Sequence, residues 1–453
     1  MLQIDSTELA ELLLSGSFGL EKESLRIDGE GFLSHTPHPF AGNPNIVRDF
    51  CENQTEINTS VQPSAHAAVS ELERHTRTIQ RTLAELTPGE YLWPFSNPPY
   101  IRNEQDIPVA QFAGAQSDKT TYRNYLSKRY GRYKMTLSGI HVNYSFHEEL
   151  LRRDFQRSGQ SSYIDYQNNL YLTLAKRVAA YGWILTAVTA ASPLLDSSYV
   201  EKEQFDGDVF QGLASVRCSE LGYWNAFAPV FDYSSLAAYV ESIRDYVRRG
   251  WLRAPSELYY PVRLKPAGPY RLDALEAGGV NHIELRMFDL NPLTPVGIDE
   301  RDVSFAQLLL CWLAATPDQP FNDRDQVQAV QNFKNAAHYD LKTVNLMLPD
   351  GRAYSVAHAA RNVITLMREF YCYSPAEVQQ VLDFEEAKFI DGENRYAWQI
   401  RKAFSGGFVR KGLALARQQQ EAESGAQAGS EALGAERKYR LTVEVPLEGE
   451  ANV

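Results

Sequence analysis

Four stretches of the chain alternate between apolar and polar positions, the period of a half-buried strand. FGLEKESLRI, Phe18 to Ile27, puts Glu21 and Glu23 on the same side. NQTEINTSV, Asn53 to Val61, sets Gln54, Glu56 and Asn58 on one face. In SGIHVNYSF, Ser138 to Phe146, the residues Ile140, Val142, Tyr144 and Phe146 face one way and His141, Asn143 and Ser145 the other. HIELRMFDLNP, His282 to Pro292, carries Glu284 and Arg286 on one face. Between these strands the period changes to that of a helix. The opening MLQIDSTELAELLLSGS reads as a helix, and residues 64–86 place Val69, Leu72, Ile79, Leu83 and Leu86 on one stripe before TPGE closes it. A long helical region follows over 163–193, ended by Pro193, and further helices are expected over 301–315, 355–370 and 375–389. YLWPFSNPPY is too rich in proline for a helix or central strand and predicts an ordered loop around Trp93 and Phe95.

The strands share one peculiarity. Each has an apolar face and carries ionisable groups in mid-strand on the other, where Asp and Glu are seldom buried without a partner. If they share a sheet backed by the helices, the polar faces merge into a trough of carboxylates with one imidazole. Hard oxygen donors of this kind select Mg²⁺ or Mn²⁺, above all when a substrate phosphate completes the octahedron. An Arg on the strand of an acidic ligand suits phosphoryl transfer. Each feature alone has a plainer account: Glu21 and Glu23 as a solvated strand face, His141 as a hydrogen-bonded core residue, Glu284 and Arg286 as an ion pair.

Composition narrows the classes further. The chain has 453 residues and a net charge of −12, which argues against nucleic acid and anionic membrane surfaces as partners. The acidic N-terminus is unlike a signal peptide, and no stretch has the length and apolarity of a membrane span. Cys51, Cys218, Cys311 and Cys372 are scattered, as suits free thiols in the cytoplasm. No phosphate-binding GxxxxGK[ST] loop, zinc-spaced Cys/His cluster or GxSxG elbow occurs. From residue 418 the chain becomes rich in Ala, Gly, Glu and Gln, which predicts a folded domain over 1–417 and a mobile tail over 418–453, with KYRLTVEVPL as its possible last strand.

GLEKESLR, DFCENQTEINT, YLWPFSNPP, YRNYLSKRYG, SGIHVNYSF, RCSELGY, ELYYPVRLK and IELRMFDLNP follow one another over residues 18–292. In this order they resemble the bacterial glutamate–cysteine ligase family, in the form of the ligase portion of bifunctional glutathione synthases. The resemblance implies an α+β, glutamine-synthetase-like fold, with a curved, mainly antiparallel sheet whose concave face holds ATP, divalent metal and substrates. It implies Glu21, Glu23, Asp49, Glu56, His141 and Glu284 as ligands of Mg²⁺, or of Mn²⁺ in its place. Arg286 would contact the transferred phosphoryl group, and Arg217 and Arg263 other anionic groups of the substrates. Phe50, Tyr122, Arg123, Leu126, Leu137, Tyr223 and Tyr259 match the pocket for the acceptor amino acid. The implied reaction joins the γ-carboxylate of L-glutamate to the amine of L-cysteine at the expense of ATP, in a cytoplasmic monomer or homodimer. Two departures bear on the acceptor. Val142 follows the strand histidine where the family commonly has an aromatic residue, and INTS replaces a more apolar run after Glu56. The chain also leaves no room for the second ligase of the bifunctional enzymes. The alternatives are a γ-glutamyl ligase for another small amino acid, a metal-dependent hydrolase, and a non-catalytic metal- or nucleotide-binding protein.

Overall fold

The computed structural model describes Leu2 and residues 7–200, 207–349 and 351–430. Seven strands form one sheet: β1 (Gly16–Ile27), β2 (Ile46–Arg48), β3 (Gln54–Asn58), β4 (Tyr91–Leu92), β5 (Gly139–Phe146), β6 (Val262–Lys265) and β7 (His282–Asp289). Their spatial order is β2-β3-β1-β5-β7-β6, with β4 also on β1, and all the pairings are antiparallel. Strand order departs from chain order, which brings motifs far apart in sequence to neighbouring positions. The four predicted strands are β1, β3, β5 and β7.

The apolar positions do what the alternation predicts. Leu20, Ile140, Val142, Tyr144, Ile283 and Leu285 are buried in one core with the helices. Those helices include α1 (Thr7–Leu13), α2 (Ala65–Glu85), α4 (Tyr163–Tyr181), α5 (Trp183–Thr189), α6 (Glu300–Ala315), α7 (Val356–Phe370) and α8 (Ala376–Ile390), while α3 (Ser117–Tyr130) and α9 (Phe408–Ser430) pack in a second core with Trp93 and Phe95. Ser64 caps α2, its hydroxyl accepting from the Ala67 N–H. The region expected as one helix over 163–193 is two, α4 and α5, divided at Gly182. A Cβ there would stand 2.5 Å from the Val178 carbonyl oxygen, so the tightened backbone at the break admits only glycine. The proline-rich loop is ordered as expected, with Trp93 and Phe95 buried against Phe404 and Phe408.

The expected boundary at residue 417 falls inside α9, which continues to Ser430. Ala, Gln and Glu are good helix formers as well as components of mobile tails. Here Glu423 lies against α2, pairing with Arg81 and, at 3.2 Å, with Arg77. KYRLTVEVPL lies outside the described residues.

A charge cluster ties α8 to α6. Lys388 Nζ lies 2.9 Å from Asp302 Oδ1 and 2.8 Å from Glu385 Oε2, and donates to the Val188 carbonyl at 3.0 Å. All three side chains are buried. One cation faces two carboxylates, so burial, reinforced by Asp302, pushes the Glu385 carboxyl well above its usual range. The folded state therefore holds the Glu385 proton more tightly than the unfolded chain. Its stabilising contribution is present below the ordinary carboxylate range and is lost as pH rises through the folded value. Glu385→Gln, which does not titrate, is expected to fold and to melt about 1–3 °C above wild type at neutral pH. That gap should close on acidification to about pH 4. Thermal melts across pH check this; a gap independent of pH would mean that folding leaves the proton affinity of Glu385 unchanged.

Candidate active site

The register converts the polar strand faces into one site. Glu23 stands opposite Glu56 of β3, and Glu21 opposite His141 of β5. Glu284 of β7 pairs with Asn143 on one side and Arg263 of β6 on the other. Val142 opposes Leu285 while Ile140 opposes Phe288, so β7 has one residue more than β5 between these pairs. That bulge lies where Arg286 sits beside His141, and such irregularities re-aim side chains next to active sites. A cavity of about 300 Å³ opens on this face, lined by Glu21, Glu23, Asp49, Glu56, His141, Arg217, Arg263, Glu284 and Arg286. Every expected metal ligand and arginine is present.

Within it, His141 Nδ1 lies 3.1 Å from Glu21 Oε2 and 3.7 Å from Glu284 Oε1. Asn143 donates to Glu21 Oε1 at 3.0 Å. Glu284 is buried and faces three cations: Arg286 Nη1 at 3.1 Å, Arg263 Nη1 at 3.3 Å and Lys265 Nζ at 3.3 Å. Lys265 also reaches Glu21 Oε1 at 3.6 Å. Arg217 donates to the Arg286 carbonyl at 2.7 Å, and its Nη2 lies 3.4 Å from His141 Nε2.

Electrostatics divide the trough in two. Burial and Glu284 push Glu21 upward, but His141 and Lys265 outweigh them and hold it at about 2. Burial and Arg286 lower His141 to about 4, so its ring is neutral. In the other half, burial and the Asp49 charge raise Glu23 to about 8 and Glu56 well above its usual value. Crowded carboxylates with few cations hold protons in this way, and a divalent ion is what would replace those protons. Glu21, His141 and Glu284 each offer a ligand atom within 4.8 Å of one another. Hard oxygens with one neutral imidazole fit Mg²⁺ or Mn²⁺.

Beside the trough the cavity wall becomes aromatic, with Phe50, Tyr122, Arg123, Leu126, Tyr223 and Tyr259 on it. Tyr223 and Tyr259 meet edge to face with centroids 5.3 Å apart. Arg123 donates from Nε to the Asp49 carbonyl at 2.5 Å, joining this wall to the carboxylates.

Two expectations need correction. Leu137 does not line the cavity; it is fully buried with Leu195, Leu213 and Val216 behind Tyr223. Its position just before β5 turns it into the core. Val142 also lies away from the cavity, 1% exposed in the main core, because its neighbour His141 takes the opposite face. Val142 therefore does not border the acceptor wall. Residues that the sequence reading passed over include Lys265, Met135, Trp224 and Ser256, all lining the cavity. Lys265 follows Arg263 by one strand period. The other three lie outside the sheet and carried no periodic signal.

The sequence model described as "Glutamate-cysteine ligase" matches residues 1–251 and 249–336. The chain belongs to the glutamate–cysteine ligase family. It is similar to the glutathione biosynthesis bifunctional protein of Listeria monocytogenes serotype 4b, 33% identical over 414 residues, covering 88% of this chain and 53% of the relative. The corresponding Pasteurella multocida protein is 36% identical over 328 residues, 70% of this chain and 42% of the relative. The chain thus spans about half the length of the curated relatives it matches. Among solved structures, a bifunctional glutathione synthetase from P. multocida superposes with a TM-score of 0.79 at 28% identity, covering 92% of this chain and 54% of that one. A glutamate–cysteine ligase from Francisella tularensis, solved in complex with AMP, shares the fold with a TM-score of 0.80 at 24% identity, covering 90% and 89% of the two chains. The α+β architecture with its mainly antiparallel sheet is the family's.

Gly139, the first residue of β5, leaves room for a side chain of this site. A Cβ at Gly139 would stand 2.3 Å from Arg217 Cζ, so the guanidinium has its place only because the side chain is absent. Gly139→Ala is expected to keep the fold and to lower turnover at least ~10-fold by displacing Arg217 from the cavity. Circular dichroism with steady-state kinetics checks this, and near-normal turnover would show that Arg217 has room elsewhere.

Proposed function

We propose that this chain catalyses ATP-dependent ligation of L-glutamate, through its γ-carboxylate, to the amine of L-cysteine, the first step of glutathione synthesis. The observation that carries this is the joining of two unlike surfaces in one cavity. A trough of acidic groups and guanidinium side chains adjoins an aromatic wall. A metal-dependent hydrolase would use the first surface but not the second.

A carboxylate is a poor electrophile, so its oxygen first attacks the γ-phosphorus of ATP and expels ADP. The amine of cysteine then attacks the resulting acyl phosphate carbon. The amide forms, phosphate leaves with the original carboxylate oxygen, and the amine gives up its proton. Mg²⁺ held by Glu21, Glu23, Asp49, Glu56, His141 and Glu284 would supply charge neutralisation for the phosphates. Arg286, Arg217 and Arg263 hold anionic oxygens, with guanidinium forks suited to two oxygens at once. Catalysis is by positioning and electrostatic stabilisation, and no protein nucleophile is needed. Cys51, Cys218 and Cys311 are accordingly buried free thiols, and Cys372 is free and exposed. Among the described residues no helix is long and apolar enough to cross a membrane. We place the protein in the cytoplasm, acting on small molecules rather than nucleic acid or membranes.

The test is phosphate release with substrates omitted in turn. Full release should need ATP, glutamate and an acceptor amine together; rapid release without the amino acids would make the protein a hydrolase. Among acceptors, a thiol packs favourably on aromatic edges for roughly 0.3–1.5 kcal/mol. The hydroxyl of serine, unpaired, costs about 1–3 kcal/mol to bury. Cysteine should therefore exceed serine in kcat/KM by about 10–1,000-fold. The methyl-ended analogue 2-aminobutyrate should fall well above serine. Should a larger apolar amino acid outcompete cysteine, the ligase chemistry would stand and the acceptor would be another.

A further inference from the structure

We infer that Glu257, which does not line the cavity, is the positioning residue of the acceptor wall. This inference rests on the acceptor reading proposed above. Glu257 ends a short turn, Pro255–Glu257, and its side chain is fully buried. Buried carboxylates need partners, and those of Glu257 come from separate parts of the chain. Arg129 Nε of α3 lies 3.0 Å from its Oε1, and the Tyr130 hydroxyl donates to the same oxygen at 2.8 Å. The backbone N–H of Arg253 donates to Oε2 at 2.7 Å.

Each of these contacts bears on a residue of the wall. Helix α3, which ends at Tyr130, carries Tyr122, Arg123 and Leu126. Next to Glu257, Ser256 donates its hydroxyl to Tyr122 at 3.2 Å. The carbonyl of Glu257 accepts from Asn225 Nδ2 at 2.9 Å, and Asn225 Oδ1 accepts from the Tyr259 N–H at 2.9 Å. Asn225 is two residues from Tyr223, so the Tyr223 segment is bound into the same network. Tyr259 is in turn held edge to face against Tyr130, with centroids 5.4 Å apart. Of the four segments that supply the wall, three meet at this residue: α3 at its carboxylate, and the Tyr223 and Tyr259 segments at its main-chain carbonyl through Asn225. Glu21, Glu23, Glu56, His141 and Glu284 are placed instead by strand register.

The geometry therefore assigns Glu257 an effect confined to one substrate. Glu257→Gln keeps the volume and an acceptor oxygen but removes the charge that Arg129 and Tyr130 converge on. The measurement is KM for cysteine, glutamate and ATP, each with the others saturating, together with kcat and the melting temperature. KM for cysteine should rise about 10-fold or more, as expected for a slackened positioning shell. KM for glutamate and ATP, and kcat at saturating cysteine, should stay within about 3-fold of wild type, because uniform binding rather than the chemical step is lost. Glu257→Asp, which keeps the charge, should recover part of the loss. Tyr130→Phe, which leaves the ion pair with Arg129, should give a smaller shift of the same kind and serves if the Gln variant fails to fold. Equal rises in all three KM values with a lowered melting temperature would make Glu257 a support of the whole fold and overturn the assignment. So would an unchanged KM for cysteine. A wild-type protein whose turnover ignores the acceptor would instead remove the ligase reading itself, and the assignment with it.

Discussion

The structure depends on one electrostatic constraint: four glutamates and a histidine share one face of a single sheet, at positions largely closed to water. Like charges at such distances cannot all be carried without cations. The chain meets part of the demand internally, through Lys265, Arg263 and Arg286 around Glu284. It leaves the rest, at Glu23 and Glu56, to bound protons. A divalent cation and a polyanionic substrate would complete what the side chains leave open. Ligand affinity and the charge balance of the sheet are thus two aspects of the same arrangement.

The fold keeps this arrangement rigid by dividing labour between the two faces of each strand. Apolar positions of β1, β5 and β7 bind the helices, and the alternate positions carry the chemistry. A one-residue slip in any of these strands would exchange core and site, so the core that stabilises the sheet also fixes the register of the ligands. The acceptor wall is built differently. Its residues lie on a helix and loops, and side-chain bonds around Glu257 and Asn225 hold them in place.

This division explains how much of the molecule was legible in its sequence. Period-two alternation located the principal strands and aimed Glu21, Glu23, Glu56, His141 and Glu284 correctly, because side-chain direction follows from local geometry alone. Lys265 obeys the same rule, but its strand is only four residues long, too short for alternation to mark it. The bulge between β5 and β7 was not legible, since it arises from the pairing of strands more than a hundred residues apart. Leu137 stood beside a strand of the site yet turned into the core, a choice made by tertiary packing. The composition after residue 417 suited both a tail and a helix, and contacts with α2 decided for the helix as far as it is described.

The central claim is that the trough is a divalent-cation site made by strand register. The most direct test is a titration of Mn²⁺ into the protein, with free ion followed by electron paramagnetic resonance in the absence of nucleotide and amino acids. The account predicts saturable binding to the wild-type protein, greatly weakened in Glu284→Gln although circular dichroism shows the fold retained. Undiminished binding by that variant, or none by the wild-type protein, would contradict it.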